Sequence, residues 1–488
     1  MKDVNKTPSV KADFMLQNFL NGSLSEPTRR LDKWVCNASS GERLFEQGAA
    51  DAKQIEAAIG TACKVHDSGV WADLSPAARA DVLDAAAEAL AEQSAKIAEA
   101  DALCTGAILK FTTVVASICP MAFRSAANLL RQLPHAPVLD GPHGELLNER
   151  LPLGPAAIVA PWNAPSGIAC HKIASALAAG CPVIIKPSEW APLSAQYIVG
   201  ALQKVGFPQG LIQLLHGDAS VGAALVSDPR IQAVSFTGGL AGGRAVAAAC
   251  AYDIKPAQLE LGGNNALLVL EDANIDASCD AIVQGMVTLN GQWCRALGRL
   301  LIHESVFTPV IKGVMARLGD LKIGSALDSQ SDMGPLVHAM HLVHIEETLA
   351  AYRVLGGKVL QSSTLPKSTG YYFAPALVTG LDPSQTQNET FGPVATVHTF
   401  SSDEEAIALA NGTPFGLAGY VFGDEQHCWK IAKKMRTGIV KINAVTMMNL
   451  NPLAPRPAWG LSGIGDEGVK ESFEFFRGSR VLGVGARP

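Results

Sequence analysis

Charge is scarce in this chain. Only 17% of its 488 residues are Asp, Glu, Lys or Arg, and these balance to −6 at neutral pH. That excludes a basic footprint for nucleic acid or for an anionic membrane surface. Long apolar runs are missing too: Ala-rich segments are interrupted every few residues by Asp, Glu or Lys, so no run approaches a membrane span. Met1 to Phe14 mixes Lys, Asp and Ser without an apolar core, and neither a secretory signal nor a transit peptide is read there. None of the ten cysteines stands in a C-x-x-C pairing, and no metal site is assigned. No internal repeat or low-complexity tail is found.

What is present is apolar bulk. A hydrophobic content of 48% marks a globular chain rather than a disordered one, and 488 residues exceed one ordinary core, which predicts two or three domains. Two stretches organise the rest. Gln258-Leu-Glu-Leu-Gly-Gly-Asn264 carries Glu260, and Asn290-Gly-Gln-Trp-Cys294, a helix-length later, carries Cys294. A thiol is a poor nucleophile until it ionises, and a carboxylate held near it, directly or through one water, accepts protons from thiol or water. The pair therefore suggests covalent catalysis followed by hydrolysis. Gly262 and Gly263 remove side chains where the backbone turns, so that the acid faces a cleft. Taken alone the pair is weak, since a buried cysteine and a Glu at a strand end are ordinary.

Along the chain, Asn18 to Gly22 reads as a short strand closing in a turn. Ser75 and Pro76 start a helix whose apolar stripe runs through Ala80, Leu83 and Leu90. The stretch Val114 to Leu133, with Met121 and Phe123, reads as a helix belonging to the core or walling a substrate channel, core being favoured. Pro134 to Pro142 is rich in Pro and Gly and leads to Glu145 to Leu151. From Ala156 short apolar runs alternate with helical ones, the rhythm of a parallel sheet wrapped by helices. Ligands of such sheets sit beyond the carboxyl ends of the strands. Lys186 and Glu189 follow one strand there, and Phe236-Thr237-Gly238-Gly239 opens a helix through Gly242 and Gly243. No G-x-G-x-x-G stands at that junction, but backbone N–H groups at a helix start can still receive phosphate. Ala266 to Leu270 begins a second α/β unit, and Cys279 to Leu289 reads as the helix before the cysteine loop.

Taken in order, Pro161-Trp-Asn-Ala-Pro165, Lys186-Pro-Ser-Glu189, Phe236-Thr-Gly-Gly239, the Glu260 and Cys294 stretches and Glu389-Thr-Phe-Gly-Pro-Val394 resemble the motifs of the aldehyde dehydrogenase superfamily. The resemblance runs from about Asn18 almost to the C-terminus, with Arg299, Gly438 to Asn443 and Ser462 to Gly468 also matching. It implies an α/β fold: a Rossmann-like cofactor domain (15–133 and 152–259), a second α/β catalytic domain (260–444), and a small β oligomerisation element with a C-terminal segment (134–151 and 445–488). Glu145 to Leu151 would then be the projecting hairpin and Arg480 to Val484 a last strand, in a homodimer or homotetramer. The resemblance further implies oxidation of a small-molecule aldehyde by Cys294, with Glu260 activating water and the Asn163 amide holding the oxyanion. Lys172 relays a proton inward on this reading, or is a surface helix lysine. The cofactor-binding residues are Trp162, Lys186, Ser188, Glu189, Thr237, Gly238, Gly239, Gly243, Leu261, Glu389 and Phe391. A carboxylate at Glu189 on the ribose would repel a 2′-phosphate, so NAD is favoured over NADP. A free thiolate also suits a reducing cytoplasm.

Two positions depart from the family pattern: Gly239 lacks the hydroxyl that many members offer the phosphate, and Asn264 replaces the commoner lysine. For the substrate, Ala164, Ile168, His171, Trp293, Met447 and Met448, with Val445 and Leu450, predict a wide apolar pocket for a bulky, hydrophobic aldehyde, aromatic aldehydes included. No Arg stands out as a carboxylate clamp. The alternatives are an enzyme of aliphatic or amino aldehydes, a CoA-acylating dehydrogenase, disfavoured by the presence of Glu260, and a non-catalytic scaffold.

Overall fold

Two largely parallel sheets share the chain, and the short link between them carries the site. The computed structural model describes residues 15–132 and 138–485. Met1 to Phe14 and residues 133–137, where the Pro- and Gly-rich stretch begins, lie outside the described residues.

The first sheet is built on five parallel strands. In spatial order they are Ile212–Leu214, Val183–Lys186, Ala156–Val159, Ala233–Thr237 and Ala257–Glu260. The chain leaves Ala156–Val159 toward one edge and returns to its other side, so a crevice opens at the carboxyl ends of the neighbouring strands. Val159, Lys186, Thr237 and Glu260 end there. Helices cover both faces, which is why strands such as Val183–Lys186 are buried at every residue. At one edge, Asn18–Leu20 and Ser23–Ser25 form a hairpin whose turn, Asn21-Gly22, takes positive φ at both residues. At the other, Gly463–Ile464 pairs antiparallel with Leu259 and Glu260.

Only residues 261–264 separate that sheet from the second one, which starts at Asn265–Val269. Around it lie Leu297–His303, Val394–Phe400 and Ala376–Thr379 on one side and Ala418–Phe422 and Ile439–Ile442 on the other, all parallel. Lys358–Leu360 adds an antiparallel edge. A separate three-stranded sheet joins Val138–Gly141, Gly144–Pro152 and the late strand Arg477–Leu482.

The helix over Pro76–Thr105 begins as its residues predict, with Ser75 accepting from the Ala78 N–H and proline in the first turn. The next helix spans Leu109–Gln132, starting earlier than expected. Contrary to the sequence reading, it is long and apolar enough to cross a membrane by length and composition, with a mean hydropathy of 1.3. Its apolar face is spent inside the protein: Ala116, Cys119, Phe123 and Ala127 pack in the core beneath the first sheet. Phe123 is core and Met121 is exposed, so neither walls a channel; Phe111 and Val115 of the same helix lie in the apolar cluster beside Cys294.

Trp71 anchors the helix Pro165–Ala179, which starts at the crevice. It is 1% exposed, donates its indole N–H to the Leu177 carbonyl at 2.8 Å and meets Phe207 edge to face at 5.4 Å. Removing so large a buried ring costs about 3–5 kcal/mol. Trp71→Ala should lower the denaturant midpoint accordingly, and a loss below about 1 kcal/mol would show that this anchor contributes little.

Candidate active site

Cys294 sits on an irregular loop. After the helix Ile275–Val287 the chain makes a 3-10 turn, Thr288–Gly291, in which Leu289 and Asn290 take left-handed φ of 48° and 58°. Such angles cost about 1–3 kcal/mol on non-glycine residues, so the loop has to be held from outside. Buried amides hold it. Asn290 donates to the carbonyls of Gly106 (2.8 Å) and Pro335 (2.7 Å) and accepts from the Gly334 N–H at 2.9 Å. Gln292 accepts from the Val337 N–H at 2.9 Å, while Asn163 donates to the Gln292 carbonyl at 3.0 Å. Asn265 donates to the carbonyls of Cys294 (2.9 Å) and Ala296 (2.8 Å) and accepts from the Ala418 N–H at 3.0 Å. A Cβ on Gly263 would meet Asn265 Oδ1 at 2.7 Å and the Cys294 carbonyl at 2.9 Å, so glycine is what lets these chains close up. Sequence reasoning missed Asn265; its only signal is a second Asn directly after Gly-Gly-Asn.

Glu260 ends its strand beside this loop and is buried. Its Oε1 lies 3.7 Å from Arg295 Nη2, and its Oε2 has no hydrogen-bond partner among the described residues. Burial, then the charge of Glu467, pushes its pKa up to about 7 against the pull of Arg295, Arg456 and Lys172. Lys172 is 0% exposed, which removes the surface-lysine reading. Its Nζ donates to Ser235 Oγ at 2.8 Å and pairs with Glu467, whose other oxygen lies 3.3 Å from Arg456. Burial alone would raise Glu467, but Lys172 and Arg456 hold it below the usual carboxylate range. Cys294 is partly exposed at the cleft, yet dense surroundings push its thiol up to about 12, only partly offset by Arg295. Its ionisation therefore requires a proton acceptor within the site.

A cavity of about 560 Å³ opens at the carboxyl ends of the first sheet's strands. Trp162, Asn163 and Ile168 form one wall, with Lys186, Ser188 and Glu189 beyond them. Thr237, Gly238, Gly239, Leu261, Cys294, Glu389 and Phe391 line it as well. Lys186 Nζ donates to the Pro187 carbonyl at 2.9 Å and stands 3.6 Å from Glu189. Glu389 accepts from the Gly263 N–H at 2.8 Å, an approach open only because Gly262 has no side chain to overlap the carboxylate. Trp162 meets Phe391 and His341 edge to face, with ring centroids 5.3 Å and 5.5 Å apart. Gly243 does not line the cavity: it gives the helix Leu240–Tyr252 close packing on Leu261, while Gly242 faces the space.

The expected substrate wall divides. Ala164, Trp293 and Met447 join Phe111 and Val115 in one apolar cluster with Cys294, and Ile168 lines the cleft. His171 is instead buried against Ser472 Oγ at 3.0 Å, neutral through burial, and Val445 belongs to the core under the second sheet. Met448 and Leu450 are exposed. Asn264 donates to the Thr386 carbonyl at 2.8 Å and its own carbonyl is held by Arg299 at 3.0 Å, a structural role for both. Two arginines stand beside the buried carboxylates, Arg295 at 3.7 Å from Glu260 and Arg456 at 3.3 Å from Glu467, and neither is among the residues that line the cavity.

The aldehyde dehydrogenase family matches residues 27–481, and the chain belongs to that family. It is 30% identical to geranial dehydrogenase of Castellaniella defragrans over 93% of this chain and 95% of that protein. It is 31% identical to betaine aldehyde dehydrogenase of Cereibacter sphaeroides, over 98% and 99%. Betaine aldehyde dehydrogenase of Staphylococcus aureus in complex with NAD+ superposes with a TM-score of 0.92 at 29% identity, covering 97% of this chain and 95% of that one.

Asn265→Ala leaves two carbonyls and one N–H without partners in a buried place, at a cost of at least about 3 kcal/mol. The variant should lose that much stability and also turnover, because the loop is freed; full activity with unchanged stability would show that other contacts hold the loop.

Proposed function

We propose that the protein oxidises a bulky, largely hydrophobic aldehyde, aromatic aldehydes included, to its carboxylic acid, with NAD as cofactor. The observation that carries this is Cys294 at the meeting point of the long cleft and the apolar cluster, with Glu260 behind it titrating near neutrality. The relatives' names span different aldehydes, so the substrate class has to be read from this chain's own walls.

The cleft suits NAD. Thr237 Oγ1 is buried without a partner among the described residues, and Gly239, at the start of its helix, has open space where a side chain would stand. Both features fit a pyrophosphate received by the helix N-terminus. Lys186 and Glu189 would hold the adenosine ribose, with the Glu189 carboxylate disfavouring NADP. Glu389 and Phe391 would hold the nicotinamide half. NAD held by these residues would supply the hydride acceptor by which the adduct on Cys294 becomes a thioester.

The protein's own groups do the rest. Cys294 adds to the carbonyl carbon after giving its proton to Glu260. The second N–H of the Asn163 amide, beyond the one given to Gln292, and the Cys294 backbone N–H stabilise the oxyanion, an effect worth a few kcal/mol, or roughly 2.7–4. Glu260 has to shed the thiol's proton before it takes one from water, and it does so through Lys172, whose ammonium gives up one proton as it accepts that one; the water then opens the thioester. Glu467 stays ionised and, with Ser235 and Arg456, keeps Lys172 in place. A free thiol at this position suits a reducing cytoplasm. The sheet of Val138–Gly141, Gly144–Pro152 and Arg477–Leu482, with Val138, Leu139 and Val481 exposed, supports assembly into a homodimer or homotetramer.

Glu260→Gln should lower steady turnover roughly 10²–10⁴-fold and also slow the first equivalent of NADH, because both the thiol and the attacking water lose their proton acceptor. In the unaltered enzyme, thioester hydrolysis should rise with pH through about 7, because the base works only when deprotonated. A pH-independent rate from 5.5 to 8.5 would remove Glu260 from this role. Glu189→Gln should raise the NADP-to-NAD ratio of kcat/KM; an unchanged ratio would place the discrimination elsewhere.

A further inference from the structure

We propose that Asp101 is a positioning residue: its buried carboxylate holds the starts of two helices and so keeps the Asn163 amide and the Lys186 to Glu189 loop in place around Cys294. The inference rests on the dehydrogenase reading for the role of Asn163, and goes beyond it by assigning a residue that does not line the cleft.

Asp101 lies near the end of the helix Pro76–Thr105 and is 1% exposed. Its Oδ2 accepts from Ser166 Oγ at 2.5 Å, and its Oδ1 is buried without a hydrogen bond of its own among the described residues. Burial raises its pKa to about 6, against the Ser166 and Ser194 hydroxyls and the Ser166 N–H, which favour the charged form. No lysine, arginine or histidine shares in that balance. The counter-charge comes from backbone instead. Ser166 stands in the first turn of the helix Pro165–Ala179 and Ser194 in the first turn of Leu193–Leu202, and the residues that start those helices, Ala164 and Pro192, give no side-chain cap. From a third helix the carboxylate supplies what both starts lack, a negative charge at the positive ends of their dipoles. Asparagine would fill the same space without the cost of burying a charge, so charge is what aspartate adds there.

The two helices matter because of what precedes them. Pro161 to Ala164 run directly into Pro165, and Lys186 to Glu189 come shortly before Leu193; Trp162, Asn163, Lys186, Ser188 and Glu189 all line the cleft. The helix bearing Asp101 also reaches the nucleophile. It ends at Gly106, whose φ of 78° turns the chain, and the Gly106 carbonyl accepts from Asn290 in the Cys294 loop at 2.8 Å. One helix end therefore holds the oxyanion residue, the cofactor loop and the nucleophile loop. Without the Asp101 charge the start of Pro165–Ala179 is free to shift and to carry Asn163 with it, while the Gly106 contact leaves Cys294 where it is.

The test uses the full-length enzyme with NAD and whichever of benzaldehyde, hexanal and propanal it oxidises fastest. Asp101→Asn should lower kcat at least tenfold with the aldehyde KM within threefold, since a misplaced oxyanion donor slows the chemistry more than it weakens substrate binding. Calorimetry should show NAD binding at least threefold weaker. In the Asn163→Ala background, where the amide is already gone, Asp101→Asn should lower kcat by no more than a further twofold, because its effect passes through that amide. An equal loss in both backgrounds, or kcat and NAD binding both within twofold of the unaltered enzyme, overturns the assignment and leaves the dehydrogenase intact. Where none of the aldehydes is oxidised the dehydrogenase reading fails by itself, and NAD binding then decides: weaker binding in Asp101→Asn supports the positioning role at the cofactor loop, and unchanged binding overturns it. Should Asp101→Asn fail to fold, Ser166→Ala removes the hydroxyl that donates to Asp101 and keeps the charge. A kcat loss of at least threefold that vanishes in the Asn163→Ala background supports the assignment, and an unchanged kcat overturns it.

Discussion

A strained, irregular loop held by buried amide side chains is the constraint on which this site depends. The loop from Thr288 to Ala296 has no ladder of its own to satisfy its backbone, and two of its residues take left-handed angles. Asn265, Asn290, Gln292 and Asn163 supply the missing hydrogen bonds. Because Asn265 begins a strand of the second sheet and Glu260 ends a strand of the first, the four-residue link between them sets Cys294 and Glu260 beside each other. Moving either sheet would move one partner of the pair. Gly262 and Gly263, in the middle of that link, admit Glu389 and the cysteine loop at distances no side chain would permit.

Charge inside this loop and link is arranged for unequal protonation. Glu467 is surrounded by Lys172 and Arg456 and stays ionised, whereas Glu260, with a long contact to Arg295 and one oxygen unpartnered, is raised toward neutrality. Two carboxylates pushed apart in this way can divide their tasks, one holding the network and the other exchanging protons. The thiol, raised by the same burial that raises Glu260, depends on that exchange.

Much of this could be read from residues in a row. The alternating apolar runs and helices from Ala156 gave the parallel sheet, and the motifs at Lys186, Phe236 and Glu389 do line one cleft, because ligand-facing residues of such a sheet cluster just after strand ends. What was not legible depends on residues far apart in the chain. Lys172 and Glu467 pair across almost three hundred positions, and Arg456 reaches the site only because a short late strand folds back on that of Glu467. His171 and Met448 sat near the right motifs but face a buried serine and solvent, since one-residue differences in direction on a helix or loop cannot be told from neighbours alone. The apolar helix Leu109–Gln132 is favoured as core by its residues and packs as core, although by length and composition alone it would pass for a membrane span.

The central claim is a covalent acyl intermediate on one cysteine out of ten. It is tested most directly by acid-quenching the enzyme during turnover of an aldehyde with NAD, digesting it and weighing the peptides. The account predicts the acyl mass on the peptide containing Cys294 and on no other cysteine. An acyl group on a different cysteine, or turnover with none on Cys294, would contradict it.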